Sequence, residues 1–265
     1  MQTLRIRASS VGELFDCGAR FEAKHINGLW MPTNPKAQLG TSVHAGAEAY
    51  DNSILTNEPI TMDDIHYVVS STLRGNADSV DWSDYDIDEF EKIAWNLTDL
   101  YCKEIAPKMS YVAIEVKASD LTISDLNLTL TGSIDRIYKV DDEHFGVADL
   151  KTGGSIVAKD GTVNTLGYGM QLGVYELLAM NSLGYNITEP AKIIGLQTAK
   201  TQKGLRAAIG EVSCPSKNLV GDAEHPGILM TIARVMSSGL FLGNPKSNLC
   251  GEKFCPIYKT CTWRI

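Results

Sequence analysis

The sequence predicts a mixed α/β (α+β) fold, with a central mixed β-sheet flanked by helices and an N-terminal helical part. Three observations carry this. Residues 9–106 read as successive helical segments. Residues 111–150 switch to runs of β-branched and aromatic residues, several alternating in polarity. The rest returns to a helix, two strands and a helix, an order that suits one central sheet covered by helices.

Each element has a local signature. Ser9 and Ser10 are N-cap candidates for a first helix carrying Val11, Leu14 and Phe15, with Glu13 at the capping-box position relative to Ser10. Met31–Pro35 reads as a loop. Thr41 can cap a second helix through Tyr50, whose Ala45, Gly46, Ala47 and Ala49 allow close packing. Thr61-Met-Asp-Asp opens a third helix to about Leu73. Ser83 to Ala106 reads as a long acidic helix stopped by Pro107, its charge run a solvated face. Strands are expected over Tyr111–Lys117, Leu126–Val140 and Phe145–Leu150. A helix over Asn164–Leu183, strands over Ile193–Ala199 and Leu205–Val212, and a helix over Gly227–Ser238 follow, before a loop tail.

Composition narrows the class. The chain has 265 residues, 44% hydrophobic and 21% charged, which is ordinary for a folded protein and excludes a disordered or collagen-like one. No apolar run is long enough to span a bilayer, so no membrane partner is expected. The opening Met-Gln-Thr-Leu-Arg-Ile-Arg lacks the apolar stretch of a secretory signal, so a reducing, cytoplasmic compartment is expected. The net charge of −8 argues against a general nucleic-acid coat but not against a metal site that concentrates carboxylates.

The segment from Leu130 to Gly153 carries the most chemistry. Asp141-Asp142-Glu143 is a turn signal between two apolar-patterned runs, so the segment reads as a β-hairpin. Position 142 is midway between Asp135 and Asp149, so a symmetric register sets those carboxylates opposite each other, with Cβ atoms about 4.5–5.5 Å apart. Carboxylates that close repel unless a proton or cation lies between them. Lys151, two residues on, leaves the same strand face as Asp149. Such a cluster suits phosphodiester hydrolysis with a hard divalent cation, with the lysine neutralising transition-state charge. Glu115 on the preceding strand can add a carboxylate. On spacing alone, Asp149 and Lys151 are equally an ordinary exposed pair.

Two i, i+4 pairs accompany it. His44 and Glu48 share a helix face, and a Thr41 cap puts His44 in the first turn, where the helix dipole favours a neutral ring. Gln171 and Tyr175 can hydrogen-bond a carboxylate, a lysine or a phosphate. Gly167, Gly169 and Gly173 are costly in a helix and hint at close approach to a neighbour. Three of the six cysteines, Cys250, Cys255 and Cys261, crowd the last 16 residues. In a reducing compartment that spacing points to metal ligation. Cys17 is the best-placed fourth thiol, ahead of Cys102 and Cys214, and four thiolates suit zinc or an iron–sulfur cluster.

These constellations occur in a familiar order. The chain resembles the RecB-like branch of the PD-(D/E)XK nuclease superfamily, especially its iron–sulfur members: AddB-type recombination nucleases, CRISPR-associated adaptation nucleases and small phage exonucleases. Ser9-Ser10…Cys17-Gly-Ala-Arg-Phe21 resembles the opening helix with its first cluster cysteine. Leu39-Gly-Thr-Ser-Val-His44-Ala-Gly-Ala-Glu48 resembles the histidine motif, Gly132-Ser-Ile-Asp135-Arg-Ile the first metal-ligand motif, and Asp149-Leu-Lys151-Thr-Gly the Asp-x-Lys motif. Gln171-Leu-Gly-Val-Tyr175 is similar to the Gln-x-x-x-Tyr helix, and Cys250, Cys255 and Cys261 to the terminal cluster ligands. Two departures stand out. Ile134 precedes Asp135 in place of proline, as is common in this branch, and the first terminal spacing is C-x4-C where many members have C-x2-C.

The resemblance implies a restriction-endonuclease-like core and a magnesium- or manganese-dependent deoxyribonuclease, more an exonuclease than an endonuclease, in recombination, repair or phage DNA processing. It implies one RecB-like nuclease domain over 1–265: a helical part at 1–107, the core at 108–240, and a cysteine-rich tail at 241–265 closing on Cys17. It implies metal ligation by His44, Asp135, Asp149 and the backbone carbonyl of Leu150, a catalytic Lys151 supported by Glu115, Gln171 and Tyr175, and a [4Fe–4S] cluster on Cys17, Cys250, Cys255 and Cys261, with zinc as the alternative. The implied partners are DNA, single-stranded or at duplex ends, and a single-strand annealing protein or helicase, in a bacterial or phage-infected cell. Helicase motifs are absent from the sequence, which suits a stand-alone nuclease. The competing reading is a catalytically inactive DNA-end or partner-binding module. Arg5, Arg7, Arg20, Lys24, Lys200, Lys203 and Arg206 flank the motifs and are candidate phosphate contacts.

Overall fold

Residues 4–75 and 77–264 are described by a computed structural model. The centre of the molecule is a sheet of five strands in the order β2 (Tyr111–Lys117), β5 (Ser133–Lys139), β6 (Phe145–Gly153), β7 (Ala191–Gln197) and β8 (Arg206–Val212). Only β6 and β7 run parallel, because the helix α6 (Gly169–Ser182) lies between them in sequence; the other pairs are antiparallel. Alternation along the strands divides the core in two. Val147 and Ile193 pack on the side of α6, with α1 (Ala8–Asp16) and α8 (Ile228–Ser238). Ala148, Leu150, Ile194 and Leu196 pack on the opposite side, against α3 (Pro35–Thr56), α4 (Met62–Gly75) and α5 (Ile87–Glu104).

The expected single sheet is accompanied by a second, of three strands: β1 (Leu4–Arg7), β4 (Leu128–Thr131) and β3 (Leu121–Ile123). The continuous strand expected over Leu126–Val140 is therefore two strands in two sheets. Leu126 ends a 3₁₀ turn, Asn127 takes a left-handed conformation (φ 48°), and the chain changes sheets at Gly132. Apolar alternation persists through both halves and hides the break.

Helix starts differ for local reasons. Arg7, not a serine, stands at the cap of α1, and Ser10 Oγ bonds back to the Arg7 carbonyl. Glu13 does not form the expected capping box; its carboxylate takes Arg20, Lys24 and His25. α3 begins at Pro35 rather than after Thr41: the Asn34 side chain accepts the Lys36 N–H at 2.9 Å, and Pro35 has no N–H to leave unpaired. Thr41 instead donates back to the Ala37 carbonyl. Thr61 and Asp64 do cap α4 reciprocally. α5 starts at Ile87 behind Asp86, later than Ser83, and α6 starts at Gly169, later than Asn164. A short helix, α7 (Pro215–Val220), follows β8 where none was expected.

Two glycines show the anticipated close packing. A Cβ at Gly46 would stand 2.5 Å from Val69 Cγ2 and 2.9 Å from Thr98 Cγ2, so α3, α4 and α5 meet at that point. A Cβ at Gly173 would stand 2.9 Å from the Pro215 backbone, which seats α7 on α6. No helix among the described residues is long and apolar enough to cross a membrane.

Candidate functional site

The hairpin register is the symmetric one. Arg136 pairs with Ala148 and Ile137 with Val147, so the same register carried one step further sets Asp135 opposite Asp149. On the other side of β5, Ile114 pairs with Arg136 and Val116 with Ile134, which sets Glu115 opposite Asp135. Three carboxylates thus form one rung across β2, β5 and β6. Glu115 takes a left-handed backbone conformation (φ 47°) between those paired neighbours. A non-glycine residue held there costs about 1–3 kcal/mol, so strain falls on a site residue.

α3 supplies the imidazole. His44 Nε2 is 2.7 Å from the Leu150 carbonyl oxygen, and Nδ1 is 3.5 Å from Asp135 Oδ2 and 3.8 Å from Glu115 Oε1. His44 lies well inside α3, not in its first turn, so the dipole argument for a neutral ring fails. Burial does pull its pKa down, but Glu115 and Asp135 outweigh burial and leave it raised. Glu48 shares its face, and burial with the Glu115 charge holds that carboxyl above its ordinary value.

α6 supplies the amide and phenol. Gln171 Nε2 donates to Asp149 Oδ1 at 3.3 Å and to the Tyr175 hydroxyl at 2.8 Å, and Tyr175 donates to Asp135 Oδ1 at 3.4 Å. Lys151 Nζ donates to Asp149 Oδ1 at 3.0 Å and lies 5.5 Å from the centre of the Tyr168 ring. Burial pushes the Asp149 carboxyl up to about 7, against the pull of Lys151 and with a further push from Asp135. Burial alone lowers Lys151, but the two aspartates more than offset it and its pKa is raised.

The donor set fits a hard divalent cation. His44, Glu115 and Asp135 each offer a ligand atom, all within 4.8 Å of one another, the single such group among the described residues. Asp149 Oδ2 is buried; it lies 2.7 Å from the Lys151 ammonium but outside hydrogen-bond geometry, with no other donor among the described residues. The carboxylates approach His44 through Nδ1, while its Nε2 is within hydrogen-bond distance of the Leu150 oxygen. Glu115 thus stands beside the expected ligands His44, Asp135, Asp149 and the Leu150 carbonyl.

The PD-(D/E)XK nuclease superfamily pattern matches residues 5–262. The chain belongs to that superfamily. Among solved structures, a candidate exonuclease from Eubacterium rectale aligns over 94% of this chain and 88% of its own, at 14% identity and a TM-score of 0.56, a likeness of fold. The structure of SSO0001 aligns over 95% of this chain and 96% of its own, at 14% identity and a TM-score of 0.37. Among curated proteins the sequence finds no match.

This PD-(D/E)XK chain has a second cluster of candidate ligands. Cys17, Cys250, Cys255 and Cys261 line one cavity between the end of α1 and the tail. Burial, with the nearby Cys17 and Cys261, pushes the Cys255 thiol up. The Asn244 N–H points at Cys17 Sγ at 3.4 Å, and Asn244 Nδ2 and Ser247 Oγ hold Asp16 at 2.9 Å and 2.7 Å. Cys102 is buried in α5 and Cys214 is exposed, both apart from the cavity.

Two features escaped the sequence. Behind Asp135, the fully buried Arg136 donates to Asp51 Oδ2 at 2.7 Å, and Tyr101 donates to the same oxygen at 2.6 Å. The adjacency of Arg136 to Asp135 was the available signal. Most of the expected phosphate contacts are otherwise engaged. Arg20 and Lys24 bind Glu13, Lys200 pairs with Glu89, Arg206 donates to the Val157 carbonyl and Arg5 pairs with Asp120. Arg7 and Lys203 carry no ion pair among the described residues; nor does Lys117, which was not foreseen.

Proposed function

We propose that this protein is a magnesium- or manganese-dependent deoxyribonuclease of the RecB-like iron–sulfur branch, acting as an exonuclease in recombination, repair or phage DNA processing. The observation that carries the reading is the rung of Glu115, Asp135 and Asp149, with Lys151 two residues beyond and His44 across it. His44, Asp135, Asp149 and the Leu150 carbonyl, with Glu115 beside them, would hold the cation. A cation bound there polarises a phosphoryl oxygen and lowers the pKa of a bound water. Lys151, kept charged by its two aspartates, orients the attacking water and neutralises charge gathering on the phosphoryl oxygens. Gln171 and Tyr175 hold the Asp149 and Asp135 carboxylates in place. The implied partners are DNA and a single-strand annealing protein or helicase.

The DNA path follows from the free cations. Arg7 and Lys117 line a groove of about 330 Å³ with Gly132 and Ser133. Lys117 pairs with Ser133, each two residues along its strand from Glu115 or Asp135, a step of about 6.6 Å. A phosphate next to the scissile one sits within reach of both.

The four-cysteine cavity is read as a [4Fe–4S] site. Four cysteines lining one cavity suit such a cluster, with zinc as the alternative.

End-labelled single- and double-stranded DNA, incubated with Mg²⁺, Mn²⁺ or Ca²⁺, tests the nuclease. Cleavage is expected with the first two and is abolished by chelator. Lys151→Ala should bind DNA as wild type yet turn over about 10²–10³-fold more slowly. Intact wild type that cuts no DNA, or Lys151→Ala at wild-type speed, makes a binding module the better account.

A further inference from the structure

Arg20 is a buried guanidinium with one end unexplained. Its side chain is 4% exposed. Nε donates to Glu13 Oε1 and Nη2 to Asp16 Oδ2, each at 2.9 Å. The guanidinium is planar and its donors form a fixed fork, so two carboxylates fix the whole group. Nη1 is buried and has no partner among the described residues. A charged donor left so is costly, and in a native fold it calls for a cause. Arg20 also lines the cavity of Cys17, Cys250, Cys255 and Cys261. Four thiolates around zinc or an iron–sulfur core make a group of net negative charge.

We propose that Arg20 is the counter-charge and N–H donor to the metal–thiolate group of this cavity, and that it sets how readily that group accepts an electron. The proposal rests on the cluster reading above. The potential of such a cluster follows its net charge, the hydrogen bonds to its sulfurs and its exposure. One-electron reduction adds a negative charge without making or breaking a bond. A fixed cation at the cavity wall stabilises the reduced form more than the oxidised one, because the local dielectric is low. Glu13 and Asp16 hold the cation in place, and Asp16 also ties the tail through Ser247 and Asn244. Arg20 is therefore a tuning residue, not a DNA contact.

The test is a redox titration of full-length protein purified without oxygen, with dithionite as reductant, alongside iron and acid-labile sulfide content. Wild type, Arg20→Gln, Arg20→Lys and Lys24→Gln are compared. At the wild-type midpoint, Arg20→Gln should hold a reduced-to-oxidised ratio at least about tenfold lower, a shift of about 59 mV to more negative potential for one electron. Arg20→Lys keeps the charge but not the fork, and should shift less. Lys24 binds the same Glu13 yet does not line the cavity, so Lys24→Gln should keep the wild-type potential. If Arg20→Gln cannot be loaded, Arg20→Lys carries the measurement. A loaded Arg20 variant at the wild-type potential overturns the proposal, as does an equal shift in Lys24→Gln. Wild type lacking iron and sulfide instead removes the cluster reading, and this proposal with it.

Discussion

Arg20 and Arg136 are both buried, both bonded to carboxylates, and both left with unpartnered guanidinium nitrogens: Nη1 in Arg20, Nη1 and Nη2 in Arg136. Their surroundings differ. Arg136 lies between two rings, 5.4 Å from the centre of Tyr101 and 5.6 Å from that of Tyr111. An aromatic face attracts a desolvated guanidinium by about 2 kcal/mol, so its missing hydrogen bonds have a replacement. Among the described residues no ring lies over Arg20, which lines a cavity with four cysteines, Tyr258 and Trp263. The same apparent defect belongs to a self-contained structural pair in one place and, on the proposal above, to the wall of a metal–thiolate site in the other. One arginine braces the strand that presents Asp135; the other lines the cavity of Cys17, Cys250, Cys255 and Cys261.

The largest expected effect lies at the self-contained pair. Asp51→Ala strands Arg136 at 0% side-chain exposure with no carboxylate. Removing one partner of a buried ion pair costs about 3–5 kcal/mol, read as a lower denaturant midpoint at constant m-value. Asp51→Leu combined with Arg136→Met removes both charges and should recover most of that loss. If Asp51→Ala unfolds at the wild-type midpoint, the two rings alone hold Arg136 and the ion pair is not what makes that site self-contained.

Glu13 carries the equivalent test at the other arginine, with a pH signature. Burial raises its pKa, but Lys24, His25 and Arg20 more than reverse this and bring it to about 2, from 4.5. The folded value is below the unfolded one. The stabilisation is therefore complete above pH 4.5 and is lost as pH falls through about 2. Glu13→Gln should lower stability at pH 7 by at most about 3 kcal/mol, and the deficit should shrink steadily below pH 4.5. Thermal unfolding of both proteins from pH 7 to pH 2 measures it. A deficit that is the same at both ends assigns Glu13 to packing rather than charge.

The two centres were unequally legible in the sequence. Asp135 and Asp149 are 14 residues apart around an acidic turn, so pleat and symmetry gave their register. Gln171 and Tyr175 followed from helical spacing alone. What failed depended on distant partners or on competing local signals. The start of α3 was obscured because Pro35 was read as loop when it is the first helical residue, which misplaced His44 along its helix. Asp51 lies just past the helix expected to end at Tyr50, and the partner that buries it comes from β5, far along the chain. Arg20 was read as a phosphate contact because adjacency to Cys17 says nothing of Glu13 and Asp16 folding back upon it. The left-handed conformation of Glu115 has no sequence signal, since glycine or asparagine would be the usual choice there.

Lys117 completes the series as an exposed cation with no carboxylate partner among the described residues, and its removal should have the smallest effect. Nothing buried depends on it, so Lys117→Gln should change stability by less than about 0.5 kcal/mol. Its contribution should appear only in DNA binding. A lysine that neutralises one phosphate displaces condensed counterions, so its loss lowers the magnitude of the slope of log affinity against log salt by about 0.7 for single strands. Arg7 lines the same groove, and Arg7→Gln should act likewise, with the two losses adding because each neutralises its own phosphate. Lys203, the other free cation foreseen from the sequence, does not line that groove and should leave the slope unchanged when replaced by glutamine. Anisotropy of labelled single-stranded DNA with Ca²⁺, across a salt series, separates these outcomes. Equal slopes for wild type and the Arg7, Lys117 double variant would move the DNA path away from the edge of β2 and leave the carboxylate rung without its proposed neighbouring phosphate site.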